Sequence, residues 1–376
     1  MSASNEVHHS LPPKGTRVAV AMSGGVDSSV TAGWLKQMGY QVIGISLQLH
    51  DMAGSADNKF GTCCSLSDIA DARRVAEKLD IPFYVANMEE TFHAEVIDDF
   101  IHEYLVGRTP NPCVKCNEKV KFKKLLDWAL DLGAEYLATG HYATIRYSPE
   151  TGQYDLCKGL DSNKDQSYFL FTMNQEELKH TLFPVGTFEK SAVRELARKL
   201  DLAVAEKPDS QEICFVQSRS YTDFIDSNVP ASLLKSGPII DKDGVVLGQH
   251  PGLHHYTIGQ RKGIGVPSPV PLFVLAIDKS KNAIVVGPEE LLFRKKATVS
   301  HLNWITAPSL DHPQKWMAKI RYRSRETPVE VTPLTDNRVS VSFLEPQRAI
   351  TPGQAMVFYQ EDRVLGGGWI EDLPLS

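Results

Sequence analysis

The sequence contains no apolar run that approaches the roughly 20 residues needed to cross a bilayer. The first residues, MSASNEVHHSLPPKGT, lack the apolar core of a secretory signal, so we expect residues 1–16 to form a flexible leader. Hydrophobic residues make up 42% of the chain and charged residues 23%, which excludes a largely disordered protein. The sequence therefore predicts a cytoplasmic globular protein with no membrane partner.

An excess of positive charge is also lacking. Forty basic residues against 46 acidic ones leave a net charge of −6, which excludes a generally basic nucleic-acid coat. Binding to a nucleic acid would have to come from local clusters, such as the lysines of 115–124 and the basic triplet 294–296. For each basic cluster, the alternative to nucleic-acid binding is that its side chains are ordinary solvated surface residues. A further set alternates along a predicted strand, which would place four cations on one face: Lys319, Arg321, Arg323 and Arg325.

Cysteine is scarce, with six residues in the chain: Cys63, Cys64, Cys113, Cys116, Cys157 and Cys214. Without a secretory signal, a structural disulfide framework is not expected. Only one C-x-x-C pair occurs, so the spacing is not that of a zinc ribbon, which needs a second pair. Buried packing, redox chemistry, catalysis and an iron–sulfur site remain open for these thiols.

Short apolar runs alternate with amphipathic stretches from Arg17 to about Leu200, a pattern that indicates a mainly parallel sheet covered by helices on both faces. In such an α/β fold, ligands bind at the carboxyl ends of the strands. The segment GRTPNPCVKCN reads as a loop before the last of these helices. We predict strands over 17–22, 41–49, 81–88 and 135–142, and helices over 27–38, 66–79, from about 88 to 106, and 118–132.

The composition changes after about Ser218, where the helical period fades and proline, glycine and turn signals take over. The segment 272–287 reads as a hairpin, and the rest of the chain as short strands. We therefore predict a catalytic domain over 17–218, a small β-rich central module over 219–290 and a C-terminal β-barrel over 291–376.

The strongest local signal is SGGVDSS, residues 23–29, between the first strand and the first helix. Such a loop exposes backbone N–H groups at the positive end of a helix, which forms an anion site. Asp27 can hold Mg²⁺ beside bound phosphates. The loop has no lysine placed for a γ-phosphate as in the P-loop, so it suits the splitting of ATP into AMP and pyrophosphate. An ordinary Ser/Gly turn is the alternative.

SGGVDSS resembles the pyrophosphate loop of the ATP-pyrophosphatase superfamily, whose members activate a carbonyl or carboxylate group by adenylation. Further segments narrow the resemblance to the bacterial tRNA-specific 2-thiouridylases, over nearly the whole chain from Arg17 to Trp369. These segments are GRTPNPCVKCN (107–117), ATGHY (138–142), LDSNKDQSYFL (160–170), KPDSQEICF (207–215), HYTIGQRKGIG (255–265) and TPGQ (351–354).

The resemblance implies an α/β domain with a doubly wound, mainly parallel sheet of the adenine nucleotide alpha hydrolase type. It also implies ATP-dependent 2-thiolation of the wobble uridine, position 34, in tRNAs for Lys, Glu and Gln. ATP and Mg²⁺ would serve to adenylate the uracil O2, which is otherwise a poor leaving group. Sulfur from a persulfide donor, a cysteine desulfurase or a sulfur-relay protein, would then replace AMP at C2.

Position by position, the resemblance gives Cys116 the role of nucleophile and Cys214 that of persulfide carrier, with a Cys116–Cys214 disulfide formed on sulfur release. The positions that match ATP contacts are Ala21, Met22, Ser23, Gly24, Gly25, Val26, Asp27, Ser28, Leu47 and Gly140. Those that match tRNA contacts are Asn111, Pro112, Cys113, His141, Lys164, Asp165, Gln166, Arg321, Tyr322 and Gln354.

Cys113 departs from the pattern, because many members of the family have Asp there. With a thiol in this place, Cys113 is either a spectator beside the base or, together with Cys116 and Cys214, a ligand of an iron–sulfur cluster. We expect Cys63, Cys64 and Cys157 to be structural. Two other interpretations are a different tRNA-modifying ATP-pyrophosphatase, such as a lysidine synthetase, and a non-catalytic RNA-binding protein.

Overall fold

The computed structural model describes residues 11–49, 66–209, 213–216, 220–307 and 310–372. Most of the expected leader, together with Cys63 and Cys64, lies outside these ranges. The N-terminal part is an α/β unit, which confirms the predicted fold class. Its elements are β1 (Arg17–Ala21), α1 (Val26–Gln37), β2 (Gln41–Gln48), α2 (Leu66–Lys78), β3 (Phe83–Asn87), α3 (89–105), α4 (112–131), β4 (Tyr136–Ala138), β5 (Ala143–Ser148), β6 (Gln153–Lys158), α5 (Gln175–Lys179), β7 (Thr181–Leu182) and α6 (Lys190–Lys199).

Five of these strands form a parallel sheet in the order β3-β2-β1-β4-β7. The centre of β1 is the apolar run Val18, Ala19 and Val20, all fully buried because helices cover both faces of the sheet. From β1, the next strands β2 and β3 are added on one side of the sheet, and β4 and β7 are added on the other side. The carboxyl ends of β1 and β4 therefore border the crevice in which such sheets bind their ligands.

Helix α4 begins at Pro112, earlier than the predicted start at Glu118, so the cysteine-bearing segment is helical and not a loop. Asn111 caps the helix, because its side-chain oxygen accepts a hydrogen bond from the backbone N–H of Val114 (3.4 Å). Proline suits the first helical position, where no intrahelical N–H bond is lost. The sequence analysis overlooked this Asn-Pro start signal.

The predicted strand 135–142 is shorter than expected, since β4 ends at Ala138. The residues that follow form an antiparallel hairpin, β5–β6, which the sequence analysis did not predict. This hairpin leaves the parallel sheet and pairs with the last strand of the chain, with Cys157 opposite Arg363. The α/β unit and the C-terminal barrel thus share one continuous sheet.

The middle of the chain is a small β-rich module that packs around its own apolar cluster, including Ile239, Val274 and Ile284. Its four strands are ordered β10 (Phe273–Asp278), β11 (Ala283–Gly287), β8 (Gly237–Ile240) and β9 (Val246–His250). The predicted hairpin over 272–287 is confirmed, with Asp278 opposite Ala283 at the turn. The module also contains α7 (Tyr221–Asn228).

The C-terminal part is a six-stranded antiparallel barrel. It closes because its first strand, β12 (Phe293–Trp304), pairs both with β15 (Val339–Arg348) and with the last strand, β17 (Arg363–Ile370). Inward-facing side chains such as Val299, Val341 and Phe358 are buried in its core. Among the described residues, no helix has the length and apolar character needed to span a bilayer. The other barrel strands are β13 (Gln314–Lys319), β14 (Thr327–Pro333) and β16 (Ala355–Gln360).

The predicted row of four cations on one strand face is wrong. Strand β13 ends at Lys319, and the next residues form a turn closed by a hydrogen bond from Ser324 N–H to Arg321 C=O (3.1 Å). The side chains therefore point in different directions. Arg323 and Arg325 are exposed, whereas Arg321 is half-buried and Lys319 lies 3.8 Å from the buried Asp165 carboxylate.

The barrel docks onto the segment that leads into α4. Thr109 N–H donates to Pro352 C=O (2.9 Å), and the Gln354 amide donates to the carbonyl oxygens of Thr109 (3.0 Å) and Pro110 (3.1 Å). Gly353 lies between these contacts with φ +86°, and a Cβ there would lie 2.9 Å from Thr109 N and O. Only glycine fits this close backbone approach.

We predict that Gly353→Ala lowers the stability of the protein more than Gly244→Ala. Gly244 has the same φ of +86° but open space around its Cβ position. Both variants carry the left-handed backbone cost of about 1–2 kcal/mol, and only Gly353→Ala adds overpacking, at roughly 1–3 kcal/mol. Thermal unfolding followed by circular dichroism measures the difference. Equal midpoints for the two variants would show that the barrel does not depend on this contact.

Candidate active site

The loop after β1 has the geometry of an anion site at a helix start. Gly24 has φ +72°, and a Cβ there would overlap the backbone of Asp68, so the loop requires glycine. The Ser28 hydroxyl accepts from Ser23 N–H (3.1 Å) and lies 3.3 Å from Gly25 C=O. These bonds fix the turn so that the first amides of α1 point outward from its N-terminus.

The other predicted ATP-contact positions surround this loop. A Cβ on Gly140 would lie 2.7 Å from Ser28 N, so the end of β4 approaches the loop closely. The side chains of Met22, Val26 and Leu47 are buried in the apolar core, and Ala21 is half-buried at the end of β1. Met22 and Val26 could therefore meet a nucleotide mainly through their backbones.

Asp27, predicted to hold Mg²⁺, is engaged by two residues that the sequence analysis missed. The Lys190 ammonium group, at the start of α6, lies 2.8 Å from both carboxylate oxygens of Asp27. The Tyr142 hydroxyl donates to Asp27 Oδ1 (2.7 Å). Burial, followed by the adjacent Asp27 charge, raises the pKa of Tyr142, so this phenol stays a hydrogen-bond donor.

Asp209 extends this ion pair into a network. Its carboxylate lies 2.8 Å from Lys190 Nζ, 2.7 Å from Lys164 Nζ and 3.3 Å from Arg194 Nη2. Burial disfavours the ionised carboxyl group, but hydrogen bonds from Lys164 and Lys190 outweigh it and lower the pKa of Asp209. Lys164, a predicted tRNA contact, is thereby linked through Asp209 and Lys190 to the nucleotide loop.

A second lysine contacts the loop directly. Lys207 Nζ donates to Gly24 C=O (3.1 Å) and lies 2.6 Å from carboxylate oxygens of both Asp68 and Asp71 in α2. Lys207 and Asp209 stand in the segment KPDSQEICF, which also carries Cys214. The sequence pointed to this segment through Cys214, but its charged residues, Lys207 and Asp209, also indicate a place in the nucleotide site.

Cys113 and Cys116 lie three positions apart at the start of α4, a spacing that places side chains on one side of a helix. Cys113 is exposed, whereas Cys116 has 9% of its surface exposed and belongs to the large apolar cluster of the α/β unit. The two thiols are therefore in different surroundings, and only that of Cys113 is open to solvent.

Cys214 packs against the same apolar cluster that contains Cys116. Its neighbour Phe215 fixes this segment, with ring centroids 5.0 Å from Phe100, 5.2 Å from Phe224 and 5.8 Å from Phe92. Two cysteines that are far apart in sequence therefore contact the same large apolar cluster. The disulfide between them remains a prediction.

Several predicted tRNA contacts make internal hydrogen bonds that shape the surrounding loops. The Asp165 carboxylate is buried and accepts from the N–H groups of Gly159 (3.2 Å) and Ser167 (3.1 Å). The Gln166 amide oxygen accepts from Tyr142 N–H (3.0 Å). With the Gln354 contacts described above, these side chains organise the loops whose exposed neighbours could meet an RNA.

Of three further predicted tRNA contacts, Arg321 and Tyr322 follow strand β13 of the barrel, whereas His141 lies in the α/β unit. Arg321 donates to Arg348 C=O (2.8 Å), and the ring centroid of Tyr322 lies 4.4 Å from that of Phe169. His141 lies between Phe122 (5.7 Å) and Phe183 (5.8 Å). Burial, followed by the nearby Lys121 charge, holds the pKa of His141 well below its ordinary value, so this imidazole is neutral.

Known protein families match three consecutive parts of the chain. Residues 16–218 match a family described as the tRNA methyl transferase HUP domain, 222–288 match its PRC-barrel domain, and 294–370 match an aminomethyltransferase beta-barrel domain. The tRNA-specific 2-thiouridylase MnmA of Geotalea uraniireducens is 53% identical over 361 residues, covering 95% of this chain and 96% of that protein. The chain belongs to the tRNA-specific 2-thiouridylase family.

Two other 2-thiouridylases are similar to the same extent. The protein of Geobacter metallireducens is 51% identical, covering 94% of this chain and 96% of its own length, and that of Heliobacterium modesticaldum is 50% identical, covering 94% and 92%. A solved 4-thiouridine synthetase–RNA complex with bound ATP is far more distant, with 15% identity, a TM-score of 0.33, and 58% of this chain and 52% of that chain covered. As a member of the 2-thiouridylase family, the protein is a sulfurtransferase.

For this 2-thiouridylase, we predict that Lys190→Met lowers stability by roughly 2–4 kcal/mol, because the carboxylates of Asp27 and Asp209 lose the cation between them. Lys190 lowers the pKa of Asp209, so its contribution is present above the unfolded carboxyl pKa of about 3.9 and disappears as the pH falls through the folded value. The deficit should therefore shrink below about pH 4.

Chemical unfolding of wild type and Lys190→Met from pH 8 down to about pH 3 measures this deficit on both sides of the unfolded carboxyl pKa. The exposed Lys199→Met, in the last turn of the same helix, is the matched control and should change stability by less than about 0.5 kcal/mol. A deficit of the same small size for Lys190→Met would mean that the ion pairs contribute nothing to folding.

Proposed function

We propose that this cytoplasmic protein thiolates C2 of the wobble uridine, position 34, in tRNAs for Lys, Glu and Gln, producing 2-thiouridine, AMP and pyrophosphate. The observation that carries the proposal is the union of two sites in one α/β unit. A glycine loop of pyrophosphate type is connected through Asp209 to the segment of Cys214, which packs on the cluster that contains Cys116. A ligase that needs only adenylation would not require the cysteines.

The residues around the loop suit ATP and Mg²⁺. The backbone amides at the start of α1 favour a phosphate, and two ammonium groups contact the loop and the first helical turn, that of Lys207 at Gly24 and that of Lys190 at Asp27. The carboxylate oxygens of Asp27 are the hard ligands that Mg²⁺ prefers, and Mg²⁺ would neutralise phosphate charge there. We propose that Asp27 exchanges its pairing with Lys190 for the cation when ATP binds.

The first chemical step would form a bond between the uracil O2 and the α-phosphorus of ATP and break the bond to pyrophosphate. The uracil oxygen then leaves as part of AMP, a far better leaving group than an unmodified oxygen. To reach the loop, the uridine must be splayed out of the anticodon stack, as base-modifying enzymes generally require. The splayed uridine would bind between the exposed side of the glycine loop and the exposed Cys113 at the start of α4.

The second step would transfer sulfur. A persulfide on Cys214, loaded by a donor of the cysteine desulfurase or sulfur-relay class, attacks C2 with its terminal sulfur, and AMP leaves. The Cys116 thiolate then attacks the Sγ atom of Cys214, which releases the transferred sulfur to the base and leaves a Cys116–Cys214 disulfide. A thiol reductant must reduce this disulfide before the next turnover.

Cys113 distinguishes this scheme from a cluster-based one. Its helical i, i+3 spacing from Cys116 is that of a chelating pair, and Cys214 packs against the cluster that contains Cys116, so these three thiols are candidate ligands of an iron–sulfur cluster. The persulfide scheme predicts full activity with less than about one tenth of an iron atom per chain and retained activity in Cys113→Asp. Iron bound in proportion to activity, and lost in Cys113→Asp, would favour the cluster.

We predict that Cys116→Ser and Cys214→Ser each abolish thiolation while leaving tRNA affinity within a few-fold, because neither thiol should carry much binding energy. The measurement is thiolated tRNA formed with a persulfide donor, alongside tRNA binding by filter retention. Cys157→Ala is the control, since burial raises the pKa of the Cys157 thiol to about 12 and keeps it protonated. Full thiolation by either serine variant would overturn the two-cysteine scheme.

We also predict that Arg323→Ala flattens the salt dependence of tRNA binding by about one unit of slope, because an exposed arginine at the barrel edge can contact one phosphate. ATP affinity should stay unchanged, since the nucleotide loop lies in the α/β unit. Arg338→Ala, whose partner Asp336 lies 3.5 Å away on the barrel, is the control and should leave the slope unchanged. Identical slopes for wild type and Arg323→Ala would show that Arg323 contacts no phosphate of the tRNA.

A further inference from the structure

Two histidines and an aspartate that the proposed thiolation does not use converge in the middle module. One ligand atom from each of Asp226, His254 and His255 lies within 4.8 Å of the other two. His254 Nε2 is 2.8 Å from Asp226 Oδ1, and His255 Nε2 is 3.6 Å from Asp226 Oδ2. The two imidazole centroids are 4.3 Å apart. The Nε2 atoms of both rings therefore face the carboxylate of Asp226.

The elements that carry these side chains are held by packing. Asp226 lies in α7, where Ile225 is fully buried and the Tyr221 ring stacks on Tyr104 with centroids 4.6 Å apart. The histidines lie in the short helical turn Leu253–His255 that follows β9, and His254 is 2% exposed. Ligand groups on such fixed elements need little rearrangement to bind an ion.

The strand just before this turn, β9, ends in a third histidine that is also buried. His250 is 1% exposed, its Nε2 lies 3.0 Å from Asn282 C=O, and its Nδ1 has no hydrogen-bond partner among the described residues. His250 and His254 have an H-x₃-H spacing, typical of metal-binding pairs, that the sequence analysis passed over. The structure shows that His255 joins His254 at Asp226.

We propose that Asp226, His254 and His255 bind one divalent transition-metal ion of the zinc class. Two imidazole nitrogens and a carboxylate oxygen suit Zn²⁺, Co²⁺ or Ni²⁺, whereas Mg²⁺ and Ca²⁺ prefer oxygen ligands alone. Three protein ligands leave one tetrahedral position for water, on the side where the Asp226 side chain is 40% exposed.

Such an ion would fasten α7 to the turn of the middle module. Helix α7 packs through Phe224 on Phe215, the neighbour of Cys214, so the ion would also stabilise the support of that segment. The site does not depend on the thiolation reaction, and its occupancy can be measured without any turnover.

The test is zinc binding by the full-length protein after chelator treatment, measured by equilibrium dialysis and metal analysis. Wild type should bind one equivalent that His255→Ala and Asp226→Asn lose, or bind at least about tenfold more weakly. These two side chains are partly exposed, so both variants should fold, which circular dichroism checks. His312→Ala, an exposed histidine on the barrel, should keep the equivalent.

Thiols also bind zinc, so Cys116→Ser/Cys214→Ser serves as the second control and should keep this equivalent. Co²⁺ substitution in that double variant should give tetrahedral visible absorption without thiolate-to-cobalt charge transfer. Equal zinc content in wild type, His255→Ala and Asp226→Asn would overturn the proposal. A bound equivalent that only the cysteine variant loses would overturn it as well.

Discussion

The Lys190 ammonium group pairs with two carboxylates, those of Asp27 and Asp209, which are far apart in the sequence of the α/β unit. Asp27 stands in the first helix turn after the glycine loop, and Asp209 stands in the segment that carries Cys214. Without a cation between them, two partly buried carboxylates would repel each other and separate. The position of the cysteine segment relative to the nucleotide loop depends on this lysine.

The same network reaches the surface that would meet tRNA. Lys164 pairs with Asp209, and the neighbouring Asp165 and Gln166 side chains hold the loop that carries it. The barrel is joined to this unit by the shared strand pairing at Cys157 and Arg363. In the proposed reaction, a base held between barrel and loop would therefore meet ATP and sulfur at fixed positions, which is how proximity accelerates a two-substrate step.

Those parts of the fold that rest on local pattern were predictable. Buried parallel strands such as β1 read as continuous apolar runs, and the hairpin over 272–287 is a local pairing of alternating strands. The β5–β6 hairpin is also a local pairing and was overlooked, whereas its pairing with the barrel, Cys157 opposite Arg363, could not be predicted because the two residues are far apart in the chain. The cationic strand after Lys319 was wrong because an alternation of charges does not itself fix a strand, and the backbone turns at Arg321.

The site divides in the same way. The glycine loop and the positions of Cys116 and Cys214 could be singled out from motifs, as could the segments that contain Tyr142 and Asp209. The contacts of Tyr142 with Asp27 and of Asp209 with Lys190 could not be predicted, because they join distant parts of the α/β unit. Buried roles such as that of Asp165 also cannot be read from the segment alone, because an identical motif could present the carboxylate to solvent.

The central claim is that ATP activates the uracil oxygen that sulfur then replaces. The direct measurement uses a tRNA whose target uridine carries ¹⁸O at O2, with ATP, Mg²⁺ and a persulfide donor, followed by mass spectrometry of the products. The account predicts one ¹⁸O atom in AMP for each 2-thiouridine formed, with pyrophosphate unlabelled. Label in pyrophosphate or in water, with thiolated tRNA formed, would contradict it.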